Sequence, residues 1–443
     1  MQYICDFHIH SKYSRATSKD GNIDNFAKWA QIKGINVLGT GDFTHPLWLK
    51  ELKEKLEPAE VGLFKYKDKK LKNNHNGFFV NNNNQSEVRF ILTTEISSIY
   101  SKNGKTRKIH NIIFAPSFEV VEKINTHLGW IGNLKSDGRP ILGLDAKELA
   151  KIVLNISPDC LIVPAHAWTP WFSIFGSNSG FDSIEECFEE YTKYIYAIET
   201  GLSSDPEMNW RWSALDNITL ISNSDAHSPA KIGREANIFE GDKISYNLIK
   251  EAIMRKSNDL KLIKTVEFFP EEGKYHWDGH RNCGLVLEPE ESLKYNNICP
   301  RCGRPLTIGV MNRVCRLADR KMGVPTAVGV PTEVGKKRIP FVRLIPLAEI
   351  IADVLGVGTG TKSVDKYYKK LINVFGNEFK ILLEIKKEEI TVASLLEIGE
   401  GVERVRQGKV SINPGYDGEF GKINIFGENE KPKITEAQKT LWN

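Results

Sequence analysis

Seven short apolar runs in the first 255 residues, at 3–7, 35–39, 88–93, 108–114, 160–164, 194–198 and 218–222, alternate with amphipathic stretches. Strands that alternate with helices pair in parallel and are covered by their crossovers, which leaves a parallel α/β barrel or a doubly wound sheet. The helical stretches carry their own signals. Ile23–Lys33 repeats apolar residues at helical spacing, and Asp145 is placed to cap a helix over 146–154. Seven strands are one fewer than the common eight-stranded barrel. Residues 65–87, rich in Lys and Asn and including Asn81–Asn84, have the composition of an exposed insertion without a core.

Metal-type side chains recur at the ends of these runs. His8 and His10 end the first, Asp42 follows the second and Glu95 the third; His110 lies within the fourth, His166 follows the fifth, and Asp225 and His227 follow the seventh. In a βα barrel the C-terminal strand ends converge on one face, so residues spread over more than two hundred positions would meet in one pocket. Imidazoles and carboxylates suit zinc, manganese or iron, and a shared carboxylate bridges neighbouring ions. Five histidines and three acids exceed the roughly four to six ligands of one ion, so two or three divalent ions (zinc, manganese, magnesium or iron) are expected. Any one of these histidines alone has the look of an ordinary hydrogen-bonded side chain. Five of the chain's ten at strand ends, paired as His-x-His and Asp-x-His, do not. Such a centre activates water and neutralises charge on a phosphoryl transition state.

Asp6-Phe-His-Ile-His-Ser11 and Ser224-Asp-Ala-His227, bracketing Thr94-Glu95, His110 and Ala165-His166, resemble the motifs of the PHP-domain phosphoesterases. His10-Ser-Lys-Tyr-Ser-Arg-Ala16, Gly39-Thr-Gly-Asp-Phe-Thr-His-Pro46 and Glu199-Thr-Gly-Leu-Ser-Ser-Asp-Pro206 are similar to one branch in particular, the endonuclease Q proteins. The resemblance covers roughly residues 1–255. It implies a distorted seven-stranded PHP barrel with a trinuclear metal centre on the eight residues above, Glu95, Asp225 and His227 being its catalytic members. It also implies hydrolysis of DNA on the 5′ side of uracil, hypoxanthine, xanthine or an abasic site, in DNA repair. Thr40-Gly-Asp42 stands where many PHP proteins have Thr-Asp-His, so Asp42 is expected to replace a histidine ligand.

Composition changes near residue 265. His280-x2-Cys283, fifteen residues, then Cys299-Pro-Arg-Cys302-Gly has the spacing of a tetrahedral structural zinc site, with His276 and Cys315 as competing ligands. The resemblance includes a zinc-binding segment here. Met1-Gln-Tyr-Ile-Cys-Asp-Phe-His8 lacks the basic and apolar regions of a signal peptide, and no apolar run approaches the ~20 residues of a membrane span. A cytoplasmic location, no membrane contact, and cysteines that serve as thiols or ligands are expected.

The net charge of +4 hides an asymmetry: residues 301–390 carry 17 Lys and Arg against 9 Asp and Glu. Lys336, Lys337, Arg338, Arg343 and Lys362 are candidate phosphate contacts for double-stranded DNA, and Trp171 and Trp210 candidate base-stacking residues. Helices are expected over 346–355 and 364–375, the second capped by Ser363. The Gly-rich segment between them is no P-loop, because Thr361 rather than glycine precedes Lys362 and a helix precedes the glycines. The expected organisation is a catalytic barrel over 1–265, a zinc module over 270–322 and a basic, mainly helical DNA-binding region over 323–443. A replication or repair protein is a possible further partner. Two other functions compete: a small-molecule PHP phosphatase resembling histidinol-phosphate phosphatases, and a non-catalytic zinc-containing DNA-binding protein.

Overall fold

In a computed structural model of the chain, which describes residues 1–67, 87–320, 338–427 and 430, strand β1 (Gln2–Asp6) pairs in parallel with β2 (Val37–Gly39), and β2 with β3 (Arg89–Lys102). β3 reverses at Asn103-Gly104 and returns as β4 (Lys105–Ala115), antiparallel from Lys102↔Lys105 to Leu92↔Ala115. β5 (Leu161–Pro164) runs antiparallel to β4, while β6 (Ala197–Glu199) and β7 (Thr219–Ile221) form a parallel ribbon. The ribbon joins β5 through Ala167 N–H to Glu199 O at 2.9 Å, and joins β1 through the Ile9–Ala226 bridge. Apolar residues of all seven strands meet in one buried cluster, Cys5, Val37, Ile91, Ile112, Val163, Ala197 and Ile221 among them, so the strands form a ring. Each Val or Ile among them contributes on the order of 1.5–3 kcal/mol through burial.

The expected fold class stands, with one difference. The run at 108–114 belongs to an antiparallel return strand and not to a parallel one. Asn103 (φ 54°) and Gly104 (φ 71°) are both left-handed, as a two-residue hairpin turn requires. The helix Ile23–Lys33 has the expected bounds, and Asp145 caps Ala146–Ile156 through Lys147 N–H at 2.7 Å. Of the expected insertion at 65–87, residues 68–86 lie outside the described residues. Its start belongs to a strand, Leu63–Tyr66, paired antiparallel with β3.

Outside the ring, β8 (Ala236–Gly241) pairs with β1, β9 (Leu260–Glu267) with β8, and β10 (Phe341–Arg343) lies parallel along β9. Among the described residues five helices follow: Leu347–Leu355, Lys362–Phe375, Glu378–Leu383, Lys387–Ala393 and Leu396–Arg406. The second starts two residues earlier than expected. Thr361 is its N-cap and makes no side-chain capping bond, so Ser363 is not the cap. A buried ion pair, Lys33 Nζ to Glu378 Oε2 at 2.7 Å, ties this helical region to the barrel. Among the described residues no helix is long and apolar enough to cross a membrane.

Candidate metal centre

Each metal-type side chain is delivered by the end of a strand or by the β3–β4 hairpin. Asp42 (φ 47°), His166 (φ 31°) and Asp225 (φ 45°) all have left-handed backbones, a conformation that costs free energy at a non-glycine residue and is found where function demands it. Glu95 sits in the middle. Its Oε1 lies 2.6 Å from His110 Nδ1 and 3.0 Å from His166 Nε2; its Oε2 lies 3.2 Å from His10 Nε2 and 3.5 Å from His8 Nε2. Asp225 Oδ1 approaches the same two imidazoles, at 3.1 Å from His10 Nε2 and 3.6 Å from His8 Nε2. Three interlocking triads result, His8–His10–Glu95, His10–Asp225–His227 and Glu95–His110–His166, each with its ligand atoms within 4.8 Å of one another.

The rear nitrogen of every ring is anchored. His8 Nδ1 meets Glu199 at 3.0 Å, His10 Nδ1 meets Asp42 Oδ1 at 3.0 Å, and His110 Nε2 meets Ser97 Oγ at 3.1 Å. His166 Nδ1 meets Thr169 Oγ1 at 3.2 Å, and His227 Nδ1 meets the Asp225 carbonyl at 2.8 Å. Such partners orient each ring so that its front nitrogen faces the centre. Three of the front atoms, His8 Nε2, His10 Nε2 and Asp225 Oδ1, are buried without a hydrogen-bond partner. Unpaired buried donors and acceptors are costly, so three aimed at one spot fit a cation held between them. Burial drives the His110 imidazole down to about 4, which keeps it neutral and able to ligate. Burial alone would raise the Glu95 carboxyl, but the positive charge beside it, the Arg139 guanidinium above all, holds the group well below the usual carboxylate range.

Asp42 departs from its expected role. Its Oδ1 holds His10, and its Oδ2 accepts from Ser11 N–H at 2.7 Å, Ser11 Oγ at 2.6 Å and Ser14 Oγ at 2.8 Å. With both oxygens committed, Asp42 stands behind His10 and belongs to none of the three triads. Two residues at the centre were not expected. Glu199 holds His8, and Arg139 Nη1 donates to Glu95 Oε2 at 3.1 Å from a loop where Gly138 is packed against Asp42 and Ser14 so closely that a Cβ would fall 2.2 Å from Asp42 Oδ2. Glu199 was visible in the sequence as the only acid ending the sixth strand; nothing local marked Arg139.

His280, Cys283, Cys299 and Cys302 bring four ligand atoms within 4.8 Å. A hairpin, Asp278–His280 with Leu285–Leu287, delivers the first pair, and the turn closed by Gly303 N–H to Cys299 O at 2.8 Å delivers the second. Against the upward push of burial, the N–H groups of Arg301 and Cys302 hold the Cys299 thiol below its usual value. The local apolar core among the described residues is Leu287, Cys299 and Leu306 with the partly buried Cys283, Leu285 and Ile308 against them, small enough to need a further tie. Neither competing ligand joins this group: His276 is buried apart from it, and Cys315 Sγ accepts from Arg211 at 3.2 Å.

The expected DNA contacts separate. Lys336 and Lys337 lie outside the described residues. Lys362 and Trp171 are exposed. Arg343 is committed to Asp205 and to Glu207 (2.9 Å), and Trp210 packs edge-on against Phe341 at 5.6 Å with the Arg338 guanidinium 4.9 Å over its ring. Arg343 and Trp210 thus already have partners within the protein.

Residues 346–409 match a family described as the MJ0043 C-terminal domain. The Methanocaldococcus jannaschii protein MJ0043 is 36% identical over 284 residues, 62% of this chain and 34% of that protein, so the match spans about a third of that relative's length. The lesion-specific endonuclease PfuEndoQ of Pyrococcus furiosus has a TM-score of 0.81 and 32% identity, covering 99% of both chains. The chain belongs to the endonuclease Q family. A second endonuclease Q structure, a complex with a 27-mer duplex substrate carrying an abasic lesion at the active site, matches with a TM-score of 0.80 and 32% identity over 98% of this chain and 100% of that one. The endonuclease Q likeness thus spans the Cys3His group and the helical region as well as the barrel.

Proposed function

We propose that this chain is a metal-dependent DNA endonuclease of repair, hydrolysing the phosphodiester on the 5′ side of deaminated bases (uracil, hypoxanthine, xanthine) or abasic sites in double-stranded DNA. The observation that carries this reading is the convergence of three buried, unpartnered ligand atoms, on His8, His10 and Asp225, around a Glu95 carboxylate shared with His110 and His166. The abasic duplex bound by the related endonuclease Q supports the choice of substrate.

His8, His10, Glu95, His110, His166, Asp225 and His227 are the proposed ligands. Two or three divalent ions held there would lower the pKa of water and offset charge building on the phosphoryl oxygens. The chain's own contribution is positioning. Glu199 and Asp42 keep Nε2 of His8 and His10 facing inward, and Glu95 keeps its two oxygens turned to different imidazole pairs. Arg139, partly exposed beside Glu95, directs its remaining donors to a non-bridging oxygen of the scissile phosphate. The Cys3His group takes a structural zinc, whose preferred tetrahedral geometry those four ligands satisfy. In this reading residues 1–265 cut, 270–322 brace and 323–443 grip DNA. Arg338, Lys336, Lys337 and Lys362 meet phosphates, and Trp171 meets a base.

The test is incubation with manganese or zinc and a duplex carrying one uracil, beside an unmodified duplex and a generic phosphomonoester. A nick confined to the 5′ side of uracil, with the base retained, is expected. Phosphate release without nicking would make the protein a small-molecule phosphatase, and retarded but intact DNA would make it a binding protein. Asp225→Asn is expected to abolish nicking while DNA affinity is kept.

A further inference from the structure

The loop after β5 contains a second strained residue, one that is not among the metal-type side chains. Phe172 has φ 63°, an outlier for a bulky side chain. It is held there from both sides: its carbonyl accepts from His110 N–H at 3.1 Å, and its own N–H donates to Ser179 Oγ at 3.2 Å. The conformation does not serve core packing. Trp168 and Phe175 of the same loop are fully buried and pack together at 4.9 Å, whereas the Phe172 ring stays half-buried at the surface. The ring lies 4.8 Å from His110, tilted by 43°, with Lys108 Nζ 5.3 Å from its centroid.

Trp171, 40% exposed, meets Tyr275 edge-on at 5.4 Å, and nearby in sequence Lys274 lies 4.4 Å over Phe420, itself 67% exposed. Aromatic faces interleaved with lysines suit a single polynucleotide strand, its bases on the rings and its phosphates on the ammonium groups. An exposed-edge aromatic ring set against a metal-type histidine suits a nucleotide held at its cleavage point. We propose that Phe172 is the stacking platform for the damaged base itself once it has left the helix, which makes this residue a determinant of lesion preference. The proposal rests on the endonuclease reading above and deepens it.

A platform for a base has no partner in an abasic substrate, and this separates stacking from a merely structural wall. The experiment compares kcat/KM on duplexes carrying either uracil or an abasic site for the wild type, Phe172→Leu and Phe172→Trp. Leucine keeps apolar bulk without a π face, so the uracil-to-abasic ratio is expected to fall by about tenfold, mostly through KM, while tryptophan keeps it. A duplex with 2-aminopurine at the lesion position, added to metal-free protein, gives a readout without turnover: the wild type quenches its fluorescence and Phe172→Leu does not. Equal losses on both duplexes, or an unchanged ratio with quenching retained, would overturn the platform. A wild type that nicks neither duplex would overturn the endonuclease reading, and the platform with it.

Discussion

Glu199 sets its two carboxylate oxygens 3.0 and 3.1 Å from Nδ1 of His8, on the side of the ring away from Glu95. It also accepts from His166 N–H at 2.8 Å and Asn223 Nδ2 at 2.9 Å, so one buried carboxylate fixes two strand ends and a ring orientation. Outer partners of this kind typically change metal affinity by about 10–100-fold when altered. Glu199→Gln should weaken metal binding within that range while the fold is kept, as titration calorimetry with manganese would record. Undiminished affinity would remove Glu199 from the centre.

The Cys3His group makes a separate forecast. Cys299→Ser should lose one bound metal equivalent and lower the thermal midpoint, because the apolar residues around it are too few to hold the hairpin. Elemental analysis of wild type and variant, with the barrel ions counted alongside, is the check; a full complement in the variant would refute the module.

Lys33 and Glu378 are 4% and 3% exposed, and Glu378 also accepts from Leu347 N–H at 3.1 Å and from the Tyr368 hydroxyl. Removing the ammonium strands that carboxylate without its counter-charge, a loss of about 3–5 kcal/mol in comparable buried pairs. Lys33→Met should therefore destabilise the chain by that order in urea unfolding. A loss within the range of an exposed pair would mean that the helical region docks by apolar contact alone.

Glu235 and Glu267 stand opposite each other, one step beyond the Ala236↔Val266 pair of β8 and β9. Glu235 Oε2 and Glu267 Oε1 are buried without a hydrogen-bond partner. Burial, and for Glu235 the neighbouring Glu267 charge, push both carboxyls up, Glu267 to about 7. A raised carboxyl favours the protonated fold, so this stabilisation is complete below the ordinary value of 4.5 and is lost as pH rises through about 7. Glu267→Gln should be more stable than wild type near pH 8, with the difference vanishing near pH 5 in thermal scans. A pH-independent difference would contradict the shared burial.

The sequence revealed the site better than the path of the chain. His8, His10, His166, Asp225 and His227 were legible because strand ends converge in any βα ring, whatever lies between them. Glu95 and His110 meet for a different reason: they project from the two arms of a hairpin. The signal for that hairpin, Asn103-Gly104, is among the strongest turn dipeptides, yet the regular alternation around it favoured a parallel reading. Asp42 shows the limit of residue type as a guide, since a carboxylate beside a metal-type histidine can ligate or orient, and only the directions of its oxygens decide. The internal partners of Arg343 and Trp210 were not legible, because a basic or aromatic side chain carries no mark of the partner waiting within its own fold. Asp205 and Phe341 lie more than a hundred residues away from them.

β10 is laid along the open margin of β9, at Thr265↔Phe341, Val266↔Val342 and Glu267↔Arg343. The C-terminal half thus supplies the last rung of the sheet on which the N-terminal half is built. A chain cut short near residue 320 would leave that margin bare, a template on which copies stack edge to edge.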